Sequence, residues 1–290
     1  MFDIQHYYKA ESIAQAVEML AAHPGSRLVA GGTDVLVKLR HFDDKFTRLV
    51  DIHALPELKK IAAQDGKLFL GSGLTFAETM ACEAVTQYIP VLAEACATVA
   101  GPQIRNMGTI GGNIANGAVS ADTAAALLVL EPMLVIQGRE GVRRAAMEGF
   151  HTGPGQVALA ADEVLLGFEF DLAGLKGLGA AYYKYAMRSA MDIATIGCAA
   201  GVKMEGGRIA DLRLAFTVAA PTPLRCRRAE AASLNQPLND AAVAKIIAAL
   251  EEDVQPRTSW RATREFRMRI IKTLAGRMIA AAAEGAKRGN

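Results

Sequence analysis

The segment Leu28-Val29-Ala30-Gly31-Gly32-Thr33-Asp34 decides the fold that this sequence predicts. Its first three residues are apolar and predict a short buried strand. The two glycines that follow allow the backbone to take a positive φ and to approach a ligand closely. Thr33 and Asp34 suit the start of a helix. A strand, a glycine turn and a helix start are together typical of a site that holds phosphate on backbone N–H groups.

A second glycine pair occurs downstream in Thr109-Ile110-Gly111-Gly112-Asn113, which we interpret as a second glycine loop. One such pair is weak evidence, because most Gly-Gly pairs are ordinary turns. Two pairs, each beside threonine and a small polar residue, predict a pyrophosphate held from two sides. The dinucleotide fingerprint G-x-G-x-x-G and a Walker lysine are both missing. The residues alone therefore predict a dinucleotide or a similar anionic ligand between two loops.

The composition limits the class of protein. Half of the 290 residues are hydrophobic (51%), which is enough for a large core in one or two domains. A net charge of +2 argues against nucleic acid as the main partner. The first residues contain an acid and no apolar core, so we expect no signal peptide, and no apolar run reaches the roughly 18 residues of a membrane span. We expect a cytoplasmic protein.

The cysteines and histidines predict no metal site and no nucleophile. Cys82, Cys96, Cys198 and Cys226 are far apart and form neither C-x-x-C nor another metal-ligand spacing. We expect reduced thiols, no iron–sulfur cluster and no structural zinc in this chain. The sequence also lacks H-E-x-x-H and G-x-S-x-G, so we predict no catalytic residue.

The first half of the chain alternates helix and strand signals. Ser12–Gln15 and Thr75–Glu78 are capping boxes that each predict the start of a helix. Asp65-Gly66 lies between two strand-like runs and predicts a tight hairpin. Gly138–Gly141 predicts a second hairpin.

Asp122 lies in the first turn of a helix that we expect Ser120 to cap. The body of that helix, 124–130, is almost wholly apolar and is expected to be buried. The carboxylate of Asp122 could stabilise the positive end of the helix dipole, or it could contact the ribose or adenine of a ligand. The spacing favours neither interpretation.

The pattern changes after Ala173–Gly179, which is the best linker in the chain. Three consecutive strand-like runs at 180–187, 193–204 and 209–219 predict an antiparallel meander, and helices follow at about 240–252 and 263–284. Strands followed by helices indicate a small α+β domain. The last helix is basic and amphipathic, and we expect it to pack against a core or a protein partner rather than nucleic acid.

The two glycine motifs together resemble those of the FAD-binding medium subunit of the molybdenum hydroxylases, and the likeness is greatest to bacterial xanthine dehydrogenase subunits. It covers the whole chain and is also seen with carbon monoxide dehydrogenase. The segments that carry it are 30–34, 100–106, 108–113, 120–122, 150–155, 183–188, 191–194 and 219–223.

The resemblance implies an α+β fold in two domains. Residues 1–176 would form an FAD-binding domain of the PCMH type, with α/β subdomains at about 1–55 and 56–176. Residues 177–290 would form a C-terminal α+β domain of the carbon monoxide dehydrogenase flavoprotein type. That domain would have a three-stranded antiparallel sheet and helices.

The resemblance also implies which residues contact FAD. The two glycine motifs would hold the pyrophosphate, Asp122 would contact the adenosine side, and Ile193 would lie near the isoalloxazine ring. Val99 stands where some eukaryotic relatives have an aromatic residue, so it does not predict ring stacking. The cofactor-binding set is Leu28, Val29, Ala30, Gly31, Gly32, Thr33, Asp34, Val99, Thr109, Ile110, Gly111, Gly112, Asn113, Asp122, Leu165, Lys184 and Ile193.

The implied function is electron transfer within a complex. A large molybdopterin subunit would hydroxylate the substrate, and a small [2Fe–2S] subunit would pass electrons to the FAD of this chain and on to NAD⁺. The complex would be a dimer of heterotrimers and most resembles a xanthine or purine dehydrogenase. The alternatives are a self-contained FAD-dependent oxidoreductase, the medium subunit of a carbon monoxide, aldehyde or N-heterocycle dehydrogenase, and a non-catalytic nucleotide-binding scaffold.

Overall fold

The computed structural model describes residues 3–288, which begin with a small parallel sheet. This first unit comprises β1 (His6–Lys9), α1 (Ile13–Ala22), β2 (Arg27–Val29), α2 (Val35–Arg40) and β3 (Arg48–Asp51). Strand β3 lies in the centre and pairs in parallel with both β1 and β2. Ser12 caps α1 as predicted, but the side chain of Gln15 accepts from the N–H of Glu11 rather than from that of Ser12.

The second unit is a five-stranded antiparallel sheet with helices. Its elements are β4 (Ile61–Gln64), β5 (Lys67–Gly71), α3 (Phe76–Ala81), α4 (Glu83–Tyr88), α5 (Pro90–Ala97), α6 (Pro102–Arg105), α7 (Ile110–Ala115), α8 (Asp122–Leu130), β6 (Met133–Gly138), β7 (Gly141–Ala146), β8 (His151–Gly153), β9 (Gln156–Val157) and β10 (Val164–Asp171). The sheet order is β4-β5-β10-β6-β7, while β8 and β9 form a separate small hairpin. The long strand β10 lies in the centre of the sheet and pairs with β5 on one side and β6 on the other. Most of its residues are buried.

The local signals of this unit are largely confirmed. Asp65 and Gly66 both have a positive φ (52° and 74°), as a two-residue hairpin turn requires. Thr75 and Glu78 form the predicted capping box at the start of α3. Every residue of α8 is buried, in agreement with its apolar composition. The predicted cap of α8 is wrong by one residue: the cap position is Ala121, and no side chain bonds there.

The third unit is the C-terminal α+β domain. The helical turn α9 (Leu172–Leu175) precedes this unit in the chain. The elements of the third unit are β11 (Gly179–Tyr185), β12 (Ile196–Glu205), β13 (Arg208–Thr217), β14 (Leu224–Arg225), α10 (Arg227–Ser233), α11 (Asp240–Leu250) and α12 (Arg264–Arg288). The three predicted strands form an antiparallel meander, but the sheet has four strands because β14 adds to the edge of β13. The sequence pattern predicts neither β14 nor α10, because Pro221 and Pro223 lie between β13 and β14 and proline is typical of the end of a strand.

The second and third units share one core. The predicted linker contains the helical turn α9, and the buried cluster around α8 also includes Tyr182, Ala199 and Ala215 of the third unit. Helix α12 crosses β11 in backbone contact: a Cβ on Gly179 would lie 2.1 Å from the carbonyl oxygen of Ala282. Within residues 3–288, no helix combines the length and the apolar character that crossing a membrane requires.

Candidate functional site

A deep cleft of about 990 Å³ lies where the first unit meets the second, and the segment after β11 reaches its edge. Its volume is at the upper end of the range for small-molecule sites, so a dinucleotide fits. Most of the predicted cofactor-binding residues line it. They are Leu28, Ala30, Gly31, Gly32, Thr33, Asp34, Val99, Thr109, Gly111, Gly112, Asn113, Asp122, Leu165 and Ile193.

Three residues of the predicted set do not line the cleft. Val29 and Ile110 are buried in the apolar core. Each is a direct neighbour in sequence of residues that line the cleft. Lys184 is buried behind Asp122, and its ammonium group donates to that carboxylate. These residues support the walls of the cleft rather than form its surface.

The first glycine turn has backbone donors to offer. Within residues 3–288, the N–H groups of Gly31, Gly32, Thr33 and Asp34 donate to no protein acceptor. Gly32 has a φ of +70°, which turns this segment of backbone at the edge of the cleft. Unpaired N–H groups beside a cleft favour a ligand with anionic oxygens, because each needs an acceptor.

The second glycine segment differs from the predicted loop. Thr109 caps α7, so Gly111 and Gly112 lie in the first turn of a helix. The N–H groups of Ile110 and Gly111 donate to Leu74 and Ser72, and that of Gly112 donates to the Thr109 hydroxyl oxygen at 3.0 Å. This segment therefore adds a close wall and the hydroxyl hydrogen of Thr109, but few free N–H groups.

The glycines at this junction are also required by packing. A Cβ on Gly31 would lie 1.9 Å from the carbonyl oxygen of Met107. A Cβ on Gly111 would lie 2.3 Å from the Cβ of Ser72. The two glycine segments thus bring the first unit against the second at backbone distance, and this contact shapes the cleft.

A polar chain joins the two glycine segments and contains a residue that sequence analysis missed. Asn116 donates to the carboxylate of Asp34 at 3.0 Å and accepts from the Lys38 ammonium group at 3.3 Å. Lys38 lines the cleft one helical turn after Asp34, so its charge lies on the side of the glycine turn. Asp34 and Lys38 are four residues apart in the sequence, and this i, i+4 spacing is the signal that could have identified Lys38.

Asp122 and Lys184 form a buried ion pair at the cleft. The Lys184 ammonium group lies 2.8 Å from Oδ2 of Asp122 and 3.0 Å from the carbonyl oxygen of Thr98. Burial raises the pKa of Asp122 to about 6, although Lys184 opposes this shift. The other carboxylate oxygen, Oδ1, is buried and has no hydrogen-bond partner among the described residues. Asp122 thus brings a carboxylate with one unpaired oxygen to the lining of the cleft.

Part of the lining of the cleft is apolar. Val99 and Leu165 are buried in it, and Ile193 is about half exposed on the segment between β11 and β12. Met191 of the same segment lies against the position of Gly101, where a Cβ would be 3.5 Å from its Cγ and Sδ. The lining thus combines polar groups that suit phosphate and sugar with apolar side chains that suit a ring system.

Comparison with known proteins identifies the family of this chain and the cofactor of that family. Residues 2–170 match the family described as the FAD binding domain in molybdopterin dehydrogenase, and residues 181–282 match the carbon monoxide dehydrogenase flavoprotein C-terminal domain. The chain therefore belongs to the molybdopterin dehydrogenase flavoproteins and is the FAD-binding subunit of a molybdenum hydroxylase that is similar to xanthine dehydrogenase. The free N–H groups and the volume of the cleft agree with FAD.

Relatives cover nearly the whole chain. The xanthine dehydrogenase FAD-binding subunit of Escherichia coli O157:H7 is 47% identical over 99% of both chains. The carbon monoxide dehydrogenase medium chain of Hydrogenophaga pseudoflava is 34% identical over 76% of both chains. A solved structure of carbon monoxide dehydrogenase from the same organism superposes with a TM-score of 0.92 at 30% identity, covering 96% of this chain and 97% of the other.

Proposed function

We propose that this chain is the FAD subunit of a xanthine or purine dehydrogenase that transfers electrons from [2Fe–2S] clusters of a partner subunit to NAD⁺. The observation that carries the proposal is the 47% identity to a xanthine dehydrogenase FAD-binding subunit over 99% of both chains. Bound FAD supplies the redox chemistry, and the protein sets its position and electrostatic environment.

The polar groups of the cleft are proposed to hold the pyrophosphate and the adenosine. The unpaired N–H groups of the turn 31–34 would donate to phosphate oxygens, each bond to a charged oxygen contributing roughly 1.5–3 kcal/mol. Lys38 would add a positive charge, and the Thr109 hydroxyl would add a donor. The carboxylate of Asp122 would accept from a ribose hydroxyl, while Lys184 holds that carboxylate in place.

The apolar side chains of the lining are proposed to contact the isoalloxazine ring. Val99, Leu165 and Ile193 offer apolar side chains there and exclude water from the ring. Ile193 is exposed enough to remain near the surface, where an electron acceptor can approach. No side chain of this chain is assigned an acid–base step, since hydroxylation of the substrate would take place on the large subunit.

The proposed assembly is a dimer of heterotrimers with a molybdopterin subunit and a [2Fe–2S] subunit. We propose the cytoplasm as its compartment, because the four cysteines are free and three of them are buried thiols.

The test is to assay one variant complex with two electron acceptors. Gly32→Val adds a side chain at a positive φ, which costs about 1–2 kcal/mol, and it crowds the proposed phosphate site. We expect the variant complex to lose FAD and xanthine-dependent NAD⁺ reduction. It should keep xanthine oxidation with an artificial dye that draws electrons upstream of the flavin.

The matched control is Gly66→Val. Gly66 has a similar φ of +74° with open space around it, but it lies in the hairpin between β4 and β5. The control complex should keep FAD and both activities. Loss of both activities in a fully assembled Gly32→Val complex would contradict the proposed division of labour. If the Gly32→Val complex loses FAD but still reduces NAD⁺, the NAD⁺-reducing flavin belongs to another subunit. Turnover of carbon monoxide or aldehydes instead of purines by the unaltered complex would favour the alternative hydroxylases.

A further inference from the structure

The turn before α12 gathers three arginines on the C-terminal domain, outside the lining of the cleft. Arg257 and Arg261 lie in this turn, and Arg267 lies in the first turns of the helix. Arg267 is only 2% exposed. Its guanidinium group donates to the carbonyl oxygen of Thr195 and, at 2.9 Å, to the hydroxyl of Ser259. The Nε atoms of Arg261 and Arg267 are both buried and have no hydrogen-bond partner in the part of the chain that the structure describes.

The positive charge of this cluster is not balanced within residues 3–288. No carboxylate in that range lies within 4.0 Å of Arg257, Arg261 or Arg267, whereas the buried Arg225 pairs with Glu131 at 2.7 Å and also with Glu230. Burial and the charges of Arg257 and Arg261 lower the pKa of Arg267. A buried cation without a counter-charge is costly, so a negative charge from another molecule would stabilise this cluster.

Exposed apolar side chains surround the cluster. Trp260 is 78% exposed, and the guanidinium carbon of Arg261 lies 4.2 Å from its ring centroid. Phe266 is 42% exposed, with its ring centroid 6.0 Å from that of Tyr185. The bond from Arg267 to Thr195 and the ring contact with Tyr185 attach this area to both ends of the segment that carries Ile193. We call Arg257, Trp260, Arg261 and Phe266, with Arg267 beneath them, the arginine–aromatic face.

We propose that the arginine–aromatic face is the docking site for an acidic segment of another subunit of the hydroxylase complex. A carboxylate of that segment balances the guanidinium cluster, and its apolar side chains cover Trp260 and Phe266. Tryptophan and arginine are the side chains that most often anchor protein interfaces, and an uncompensated positive cluster selects a partner of opposite charge. A nucleotide phosphate would satisfy the arginines but would leave the aromatic area from Trp260 to Phe266 largely uncovered.

The experiment uses the complete complex with single substitutions in this chain. Arg257→Glu reverses a charge of the face, and Trp260→Ala removes its most exposed aromatic ring. Lys245→Glu is the matched control, because it makes the same change of charge at an exposed position on α11. The dissociation constant of this subunit for the rest of the complex is measured, together with its FAD content and its Michaelis constant for NAD⁺.

We expect Arg257→Glu and Trp260→Ala each to weaken subunit association by about tenfold or more, and Lys245→Glu to leave it unchanged. FAD content should stay at the unaltered level. The dissociation constant of the unaltered complex should also rise as the NaCl concentration is raised from about 50 mM to about 500 mM. Unchanged association in both variants would overturn the proposal. A raised Michaelis constant for NAD⁺ with unchanged association would also overturn it and would assign the face to the dinucleotide.

Discussion

Asp122 shows at the scale of one residue how burial sets a titration. Its pKa rises from 3.8 to about 6 because the carboxylate is buried, although Lys184 favours the charged form. Between pH 3.8 and about pH 6, the folded protein binds more protons at Asp122 than the unfolded chain does. The free energy of unfolding therefore falls as the pH rises through this window and is level above it.

We predict that Asp122→Asn removes this pH dependence. The difference in unfolding free energy between the variant and the unaltered protein should change by on the order of 2 kcal/mol from pH 4 to pH 6, in favour of the variant. Lys184→Met should move the upper limit of the titration to a higher pH, because it removes the charge that lowers the pKa. Chemical denaturation across this pH range measures both effects.

The control for Lys184→Met is Lys203→Met. Lys203 also donates to a backbone carbonyl oxygen, that of Gly174 at 2.7 Å, but it has no carboxylate partner among the described residues. Its loss should lower stability without moving the titration. If Lys203→Met shifts the titration as far as Lys184→Met does, the pair with Asp122 is not its cause.

At the scale of elements, the position of α7 depends on one glycine. The N–H of Gly111 donates to the carbonyl oxygen of Ser72 at 2.8 Å, and a Cβ at this residue would meet Ser72 at 2.3 Å. The start of α7 therefore packs directly on the residue that follows β5. Gly112, the neighbouring glycine, is exposed and would meet only the Thr109 hydroxyl at 2.9 Å.

We predict that Gly111→Ala and Gly112→Ala have different effects. Gly111→Ala should lower the free energy of unfolding of the flavin-free protein by about 2–4 kcal/mol, because α7 has to move away from β5. Gly112→Ala should cost about 1 kcal/mol or less, since only the Thr109 cap is disturbed. Thermal unfolding of both flavin-free variants measures the difference. Equal losses would contradict the packing role of Gly111.

At the scale of the whole molecule, the two domains are not independent. Helix α8 packs in one cluster with residues of the second and third units, and Arg213 and Arg225 donate to the carbonyl oxygens of Val129 and Leu128 at its end. Lys184 of the third unit reaches Asp122 at its start. The third unit therefore covers α8 along its length and completes the wall of the FAD cleft.

We predict that residues 1–176 alone neither bind FAD nor stay monomeric. Without the third unit, the apolar surface of α8 is exposed, the carboxylate of Asp122 loses Lys184, and Asp192 and Ile193 no longer close the cleft. Large exposed apolar patches promote association between protein molecules. Flavin content and size-exclusion chromatography of the fragment, with the full chain as control, test this. A monomeric, flavin-loaded fragment would show that the C-terminal domain only flanks the site.

Much of the local structure could be predicted because its causes are local. The hairpin at Asp65-Gly66, the capping box at Thr75 and the buried helix 124–130 each follow from residues within a few positions of one another. The two glycine motifs also located most of the cleft, since both segments line it. Side-chain period and turn chemistry depend on neighbours in the chain, so the sequence by itself determined these features.

Only the tertiary structure decided which contacts each residue makes at the cleft. Gly111 lines the cleft as predicted, but it also packs against Ser72, a contact that no local pattern indicates. Lys184 does not line the cleft and donates instead to Asp122, which is 62 residues away in sequence. Strand β14 pairs with β13 despite the prolines before it. Contacts between distant residues depend on how the units pack, and no period or spacing in the chain encodes which side chain a given atom will face.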